Sequence, residues 1–322
     1  MDRKFQPGFF SFLSLCLILL LSEGAVLGAT FPSKAIKVIS PGAAGSGVDM
    51  EARGITPYFE KYIKVPVIIE NIVGADTRIG LTKMWKSKPD GYTLAIHTTT
   101  MTLLGEIIFN PEYQLSNFSH VYSWSLTNTV LVVQSEKWKT FDELVQDARK
   151  RALSVGMAGR GTSTHLNGII LWNGLGIKVN WVPFDGAGQA LTALAGGHID
   201  VVAAGTTSAL SLVNAGKVRP LLVLANNKDI VFPNVPLAKD LGHPYPFLAM
   251  IRGVDGPPKI DGGVIKALGE AFDKASRDPG YIQWANNRMM EIIHFGPQEY
   301  GKMIETQKKE AEKFKDLLKA GN

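Results

Sequence analysis

Along the chain, short β-branched runs alternate with stretches whose apolar residues recur at helical spacing. Ile36, Val38 and Ile39 form the first run and predict a strand. Residues 40–48 carry almost no side chain, and residues 49–58 then predict a helix with an acid, Asp49, in its first turn. Further strands are predicted at residues 65–70, 93–96, 128–134, 153–157, 179–184, 199–203, 218–224 and 247–254. Residues 71–80 read as a polar loop, and Pro89-Asp90-Gly91 as a turn before the 93–96 strand. Thr140 with Glu143 has capping-box spacing and opens a helix. Helices are also predicted at residues 164–172, 260–276 and 279–287. A last helix starts at Pro297 and buries the face carrying Tyr300, Met303, Ile304, Gln307, Ala311, Phe314, Leu317 and Leu318.

One pattern occurs twice. A strand feeds a small-residue loop, which feeds a helix and then another strand, first at residues 36–70 and again at residues 153–184. The second loop reads Ala158-Gly-Arg-Gly-Thr-Ser163. Such a junction points unpaired backbone N–H groups at one spot, and the positive end of the helix dipole adds to them, so each is a socket for an anion. Two units of this kind predict two α/β lobes, each with a crevice at the carboxyl ends of its strands.

Composition narrows the function. With 322 residues, 45% of them hydrophobic, the chain can build two domains with cores. Arg3 and Lys4 precede an apolar stretch at residues 9–21, followed by small residues, which predicts an export signal cleaved near Gly28 or Ala29. That stretch is shorter than the ~20 residues a membrane helix needs. The single cysteine, Cys16, lies inside it, so the mature chain would hold no disulfide, thiolate metal site or thiol nucleophile. The net charge of +5 is modest and spread out, without the basic stripe of a nucleic-acid binder. His97, His120, His165, His198, His243 and His294 lack metal-ligand spacing.

Ten collinear segments carry a resemblance. They are Phe31-Pro-Ser-Lys, the glycine loop from Pro41 to Asp49, Glu70-Asn71, Pro89-Asp-Gly-Tyr-Thr-Leu94 and Gly161-Thr-Ser-Thr-His-Leu166, then Val182-Pro-Phe, Gly196-Gly-His-Ile-Asp200, Ala215-Gly-Lys-Val-Arg219, Val235-Pro and Gly296-Pro-Gln-Glu. Together they resemble the substrate-binding proteins of tripartite tricarboxylate transporters, the Bug family. The resemblance implies a two-lobed periplasmic binding-protein fold of the type II kind, with two Rossmann-like domains joined by hinge strands and the ligand cleft between them. It implies a domain 1 of residues 30–128 and 250–322 and a domain 2 of residues 129–249. It also implies a monomeric receptor in the periplasm, without enzymatic activity or cofactor, that passes a small organic mono- or dicarboxylate to membrane permease subunits. The implied ligand contacts are Gly42, Ala43, Ala44, Gly45, Ser46 and Gly47, then Thr98 and Thr99, then Thr162, Ser163, Thr164 and His165.

Some residues depart from the family pattern. Gly42 stands where an aromatic is common, Ser46 where a glycine is usual, and Ala204 where several members carry an Asp that pairs with a ligand amine. An amino acid is therefore the less expected ligand. Arg78 and Arg160 replace small polar residues, and Arg160 is a candidate for a bidentate bond to a second carboxylate.

Rival readings are weaker. Asp49 is expected to steady the loop, because an ionised acid turned toward the socket would repel an anion. Ser163 and His165 are two residues apart on a helix and point apart, and no nucleophile elbow exists. Gly42-x-x-Gly45-x-Gly47 inverts the dinucleotide fingerprint, and no Walker sequence is present. A receptor that serves a signalling partner rather than a permease remains an open alternative.

Overall fold

The computed structural model describes residues 31–159 and 161–320. The export signal read at residues 1–29, Cys16 within it, and Arg160 lie outside the described residues. In chain order the strands are β1 (Ile36–Ser40), β2 (Val67–Asn71), β3 (Thr93–Thr98), β4 (Ser119–Thr127), β5 (Thr129–Gln134), β6 (Ser154–Met157), β7 (Asn180–Pro183), β8 (Val201–Gly205), β9 (Val218–Leu224), β10 (Met250–Gly256) and β11 (Glu291–Phe295). The helices are α1 (Gly47–Ile63), α2 (Arg78–Trp85), α3 (Thr99–Phe109), α4 (Phe141–Ala148), α5 (Ser163–Gly174), α6 (Ala187–Ala195), α7 (Thr206–Asn214), α8 (Gly262–Ser276), α9 (Pro279–Asn286), α10 (Pro297–Glu312) and α11 (Lys315–Ala320). No helix among the described residues is long and apolar enough to cross a membrane.

Two sheets organise these elements. The first has the order β11-β4-β10-β3-β1-β2, the second β7-β6-β8-β5-β9. β1 runs parallel to β2 and β3, and β6 runs parallel to β7 and β8, which is the pairing of strand–helix–strand units. The strand that enters each sheet after the chain crosses over, β5 in one and β10 in the other, lies antiparallel to both neighbours. This arrangement is the two-lobed α/β fold expected from the sequence.

Local chemistry explains most boundaries. Ser46 caps α1, Thr140 caps α4 by accepting from the Glu143 amide, and Asp261 and Asp278 cap α8 and α9. Several elements depart from the sequence reading. The strand predicted at residues 93–96 runs on to Thr98, and α3, which the sequence reading does not predict, starts at Thr99. Tertiary bonds from its hydroxyls favour the helix: Thr99 bonds Tyr300, and Thr100 donates to the Ala249 carbonyl. β4 is hidden from periodicity because Ser123 and Ser125 are buried along with Val121, Tyr122 and Trp124. α2 begins inside the segment read as a loop, α7 and β11 were not anticipated, and the last helix breaks near Phe314 into α10 and α11.

The main cluster of buried side chains is continuous from Ile39 and Leu104 beside the first sheet to Leu166 and Leu222 beside the second. Phe59 of α1 stacks on Phe272 of α8 at 3.8 Å, and Trp124 of β4 stacks behind it at 5.9 Å. This locks the helix that leaves the first loop against the sheet. Gly253 of β10 lies directly under the Tyr300 ring, so a Cβ there would collide with the Tyr300 hydroxyl. Gly253→Ala is expected to lower unfolding free energy by about 1–3 kcal/mol through overpacking. Gly105→Ala, in a helix with open space around it, should be neutral or stabilising by up to about 1 kcal/mol. Urea unfolding of the two variants checks both signs.

Candidate functional site

β1 ends at Ser40, and the Gly42–Gly47 loop turns the chain into α1. Asp49 organises this turn from beneath and is only 1% exposed. Its carboxylate accepts from the Gly45 amide (2.8 Å), Arg53 Nε (2.9 Å) and Asn71 Nδ2 (2.7 Å). Asn71, at the end of β2, also donates to the Gly42 carbonyl at 2.9 Å. Gly45 takes φ +79°, a conformation cheap only for glycine. Burial works against the charge on Asp49, but the bonds from Arg53, Gly45 and Asn71 outweigh it and hold the carboxyl below its usual range. Asp49 therefore steadies the loop, as its position implied. With Ser46 capping the Asp49 amide, the amides of Gly47 and Val48 are left without an acceptor among the described residues. They form the anion socket of the first junction.

Thr98 and Thr99 stand at the second junction of this sheet, from β3 into α3. The Thr99 hydroxyl is turned into the core, 2.6 Å from Tyr300 Oη, so what it can offer a ligand is backbone. Tyr300 in turn donates to Asp255 of β10 (3.0 Å), which also holds His97 Nε2 (2.6 Å) and His120 Nδ1 (2.7 Å). Burial opposes the Asp255 charge, but the attraction and hydrogen bonds of the two histidines prevail and depress its pKa. Burial likewise opposes protonation of His120, and Asp255 overcomes it and raises the His120 pKa.

In the second lobe the loop after β6 leads to α5, capped by the Thr162 hydroxyl on the His165 amide at 3.2 Å. Ser163 and Thr164 are almost fully buried, and their amides lack acceptors among the described residues. His165 is fully buried, packs edge-on against Trp181 at 5.0 Å, and accepts from the Gly161 amide at 3.3 Å. These contacts pack the ring and support the loop. Arg78 lies over the Phe109 ring at 3.8 Å and 3.6 Å from Asp76, so its charge is engaged locally. Ala204 is fully buried in β8.

Two features escaped the sequence reading. Asn167, one turn into α5, clasps both crossover segments: its Nδ2 donates to Thr129 Oγ1 and the Leu248 carbonyl, and its Oδ1 accepts from the Leu248 amide. Arg252 of β10 bonds Glu51 of α1 at 2.9 Å and also the Thr98 hydroxyl. Its guanidinium faces Gly47, where a Cβ would stand 3.9 Å from Nη2. Arg252 thus ties the β1–α1 and β3–α3 junctions to the returning strand. Pairing across 201 positions leaves no local signature. A cavity of about 560 Å³ opens at this point, lined by the start of α1, by Arg252 and by Thr207 and Ser208 of α7 beyond the second sheet. Roomier hollows of about 710 and 610 Å³ lie away from the junctions, beside α8 and beside Trp172. The smallest of the three is the one that brings the start of α1 together with Arg252 and the start of α7.

Residues 52–321 match the family described as tripartite tricarboxylate transporter family receptor. The chain belongs to this family, the Bug receptors. The receptor is 30% identical to the UPF0065 protein of the TAR-I ttuE-ttuC' intergenic region of Agrobacterium vitis, an alignment covering 79% of this chain and 75% of the relative. Its fold matches MatC of Rhodopseudomonas palustris, solved with bound malate, with a TM-score of 0.75 and 24% identity over 89% of this chain and all of MatC. It also matches an R. palustris protein solved with adipate, with a TM-score of 0.77 and 21% identity over 89% and 98% of the two chains. The receptor is a solute-binding protein and not an enzyme.

Because Asp49 has a folded-state pKa below its unfolded value, its stabilisation is present above about pH 4 and lost as pH falls through the depressed value. Asp49→Ala, which leaves the Gly45 amide and Arg53 without their acceptor, should cost about 1–3 kcal/mol near neutrality. Urea midpoints of the variant and the parent should converge on acidification.

Proposed function

We propose that this receptor captures a small organic mono- or dicarboxylate in the periplasm and delivers it to the membrane permease of a tripartite tricarboxylate-type transporter. The observation that carries the reading is the repeated junction. In both lobes a parallel strand, β1 or β6, ends in a small-residue loop, and a helix then starts with two amides that lack acceptors among the described residues. Carboxylate oxygens satisfy such amides and interact favourably with the helix dipoles. The malate and adipate held by structural neighbours are carboxylates of this size.

The candidate contacts are Gly42–Gly47, Thr98, Thr99 and Thr162–His165, with Arg160 the sequence's candidate for a second carboxylate. The lobes divide near residues 128 and 249, where the two crossover segments act as hinges. Asn167 restrains both segments and would set how the lobes close on the solute, shifting the population from open to closed.

A thermal-shift screen of mono-, di- and tricarboxylates against the purified receptor tests this reading. A fitting carboxylate at a thousandfold excess over its Kd is expected to stabilise the protein by about 4 kcal/mol. Stabilisation by NAD or ATP alone, or by none of these compounds, would overturn it.

A further inference from the structure

The cavity beside Arg252 says more about the solute than a preference for anions. Its walls combine charged groups and the hydroxyls of Ser125, Thr127, Thr207 and Ser208 with a soft apolar surface formed by Met50, Met250, Met290 and Trp284. Met50 is 52% exposed, an unusual position for a large apolar side chain in the first turn of a helix that buries its opposite face. The terminal methyl of Met250 approaches Gly205, the residue that caps α7, so the apolar surface reaches from one sheet's elements to the other's. Methionine thioethers adapt to irregular apolar shapes and give little to a hydroxyl group.

The charges sit at two places. Arg252 has its side chain only 13% exposed; its Nε is buried without a hydrogen-bond partner among the described residues, so the donors a ligand could reach are those on the Nη atoms. Its guanidinium carries five donors, and its bonds to Glu51 and Thr98 leave others for a ligand. With no side chain at Gly47, nothing of that residue stands between the start of α1 and Arg252 Nη2. Arg288 lies 4.3 Å over the Trp284 ring and donates to the Trp284 carbonyl, which fixes a second cation at the edge of the apolar wall. Glu51 is the one acid in the lining among the described residues. Two arginines against one glutamate leave a single excess positive charge, which suits a monoanion.

We infer that the solute is a monocarboxylate with an apolar body, aromatic or aliphatic, whose carboxylate is held by Arg252 and the Gly47 and Val48 amides while its body lies on Met50, Met250, Met290 and Trp284. Arg252 is then the residue that sets specificity, and Met50 marks the apolar subsite. The inference rests on the receptor reading above and narrows it.

Isothermal titration of the purified receptor with phenylacetate, hexanoate, malate and citrate separates the two. Phenylacetate or hexanoate is expected to bind at least tenfold more tightly than malate or citrate. Arg252→Lys, which keeps the charge and loses the planar fork, should weaken the preferred acid about tenfold or more. Met50→Glu changes an exposed side chain and places a second acid in the apolar subsite, and it should weaken the same acid by a similar factor, with the unliganded melting temperature showing that the variant is folded. Tighter binding of malate or citrate than of either apolar acid would overturn this inference and leave the receptor reading intact. So would an apolar acid whose affinity Met50→Glu does not change. Binding of none of the four, together with a negative carboxylate screen, would overturn both.

Discussion

A buried carboxylate beneath a loop of nearly bare backbone is the constraint on which the first half of the site depends. The residues between β1 and α1 have too few side chains to pack themselves into one shape, and Gly45 is in a conformation open mainly to glycine. Asp49 supplies the missing restraint by reaching back to the Gly45 amide and across to Asn71 on β2. The negative charge that would repel a ligand if it faced outward is turned inward and compensated by Arg53. The amides that remain unbonded are thereby held in a fixed direction before any solute arrives, and such preorganisation lowers the entropic cost of binding.

A second set of bonds ties this loop to the rest of the receptor. Arg252 of β10 reaches Glu51 on α1 and Thr98 at the head of α3, and Asp255, three residues on, gathers His97, His120 and Tyr300. β10 is also the strand that returns from the other lobe, and the Leu248 and Ala249 just before it are bonded by Asn167 and Thr100. Movement at that crossover is thus mechanically connected to both junctions of the first sheet.

What could be read from the sequence follows from the range of the forces involved. The junction at residues 40–49 was legible because a β-branched run, a glycine loop and a helix start are all local signals. The placement of Asp49 was legible for the same reason, since capping acts over one turn. The start of α3 was not legible because the hydroxyls of Thr99 and Thr100 are bonded by Tyr300 and Ala249, partners distant in sequence. β4 escaped because its buried serines, Ser123 and Ser125, are satisfied by the Arg252 carbonyl and by Glu51, partners that periodicity cannot reveal. The bonds of Arg252 to Glu51 and Thr98 escaped for the same reason. The burial of His165 against Trp181 was not legible either, because that contact joins α5 to β7 across the fold.

The strand order has a consequence for how the chain acquires its shape as it is made. The five strands of the second sheet all come from residues 129–224, one uninterrupted stretch, so that sheet can be completed while the C-terminal part is still being synthesised. β4 cannot be completed in the same way: its neighbours on its two sides, β10 and β11, begin only at Met250 and Glu291. Until those residues emerge, both edges of β4 remain unpaired and open to association with other chains. The lobe encoded first is therefore the one that must finish last, and its nascent form is the state most in need of protection.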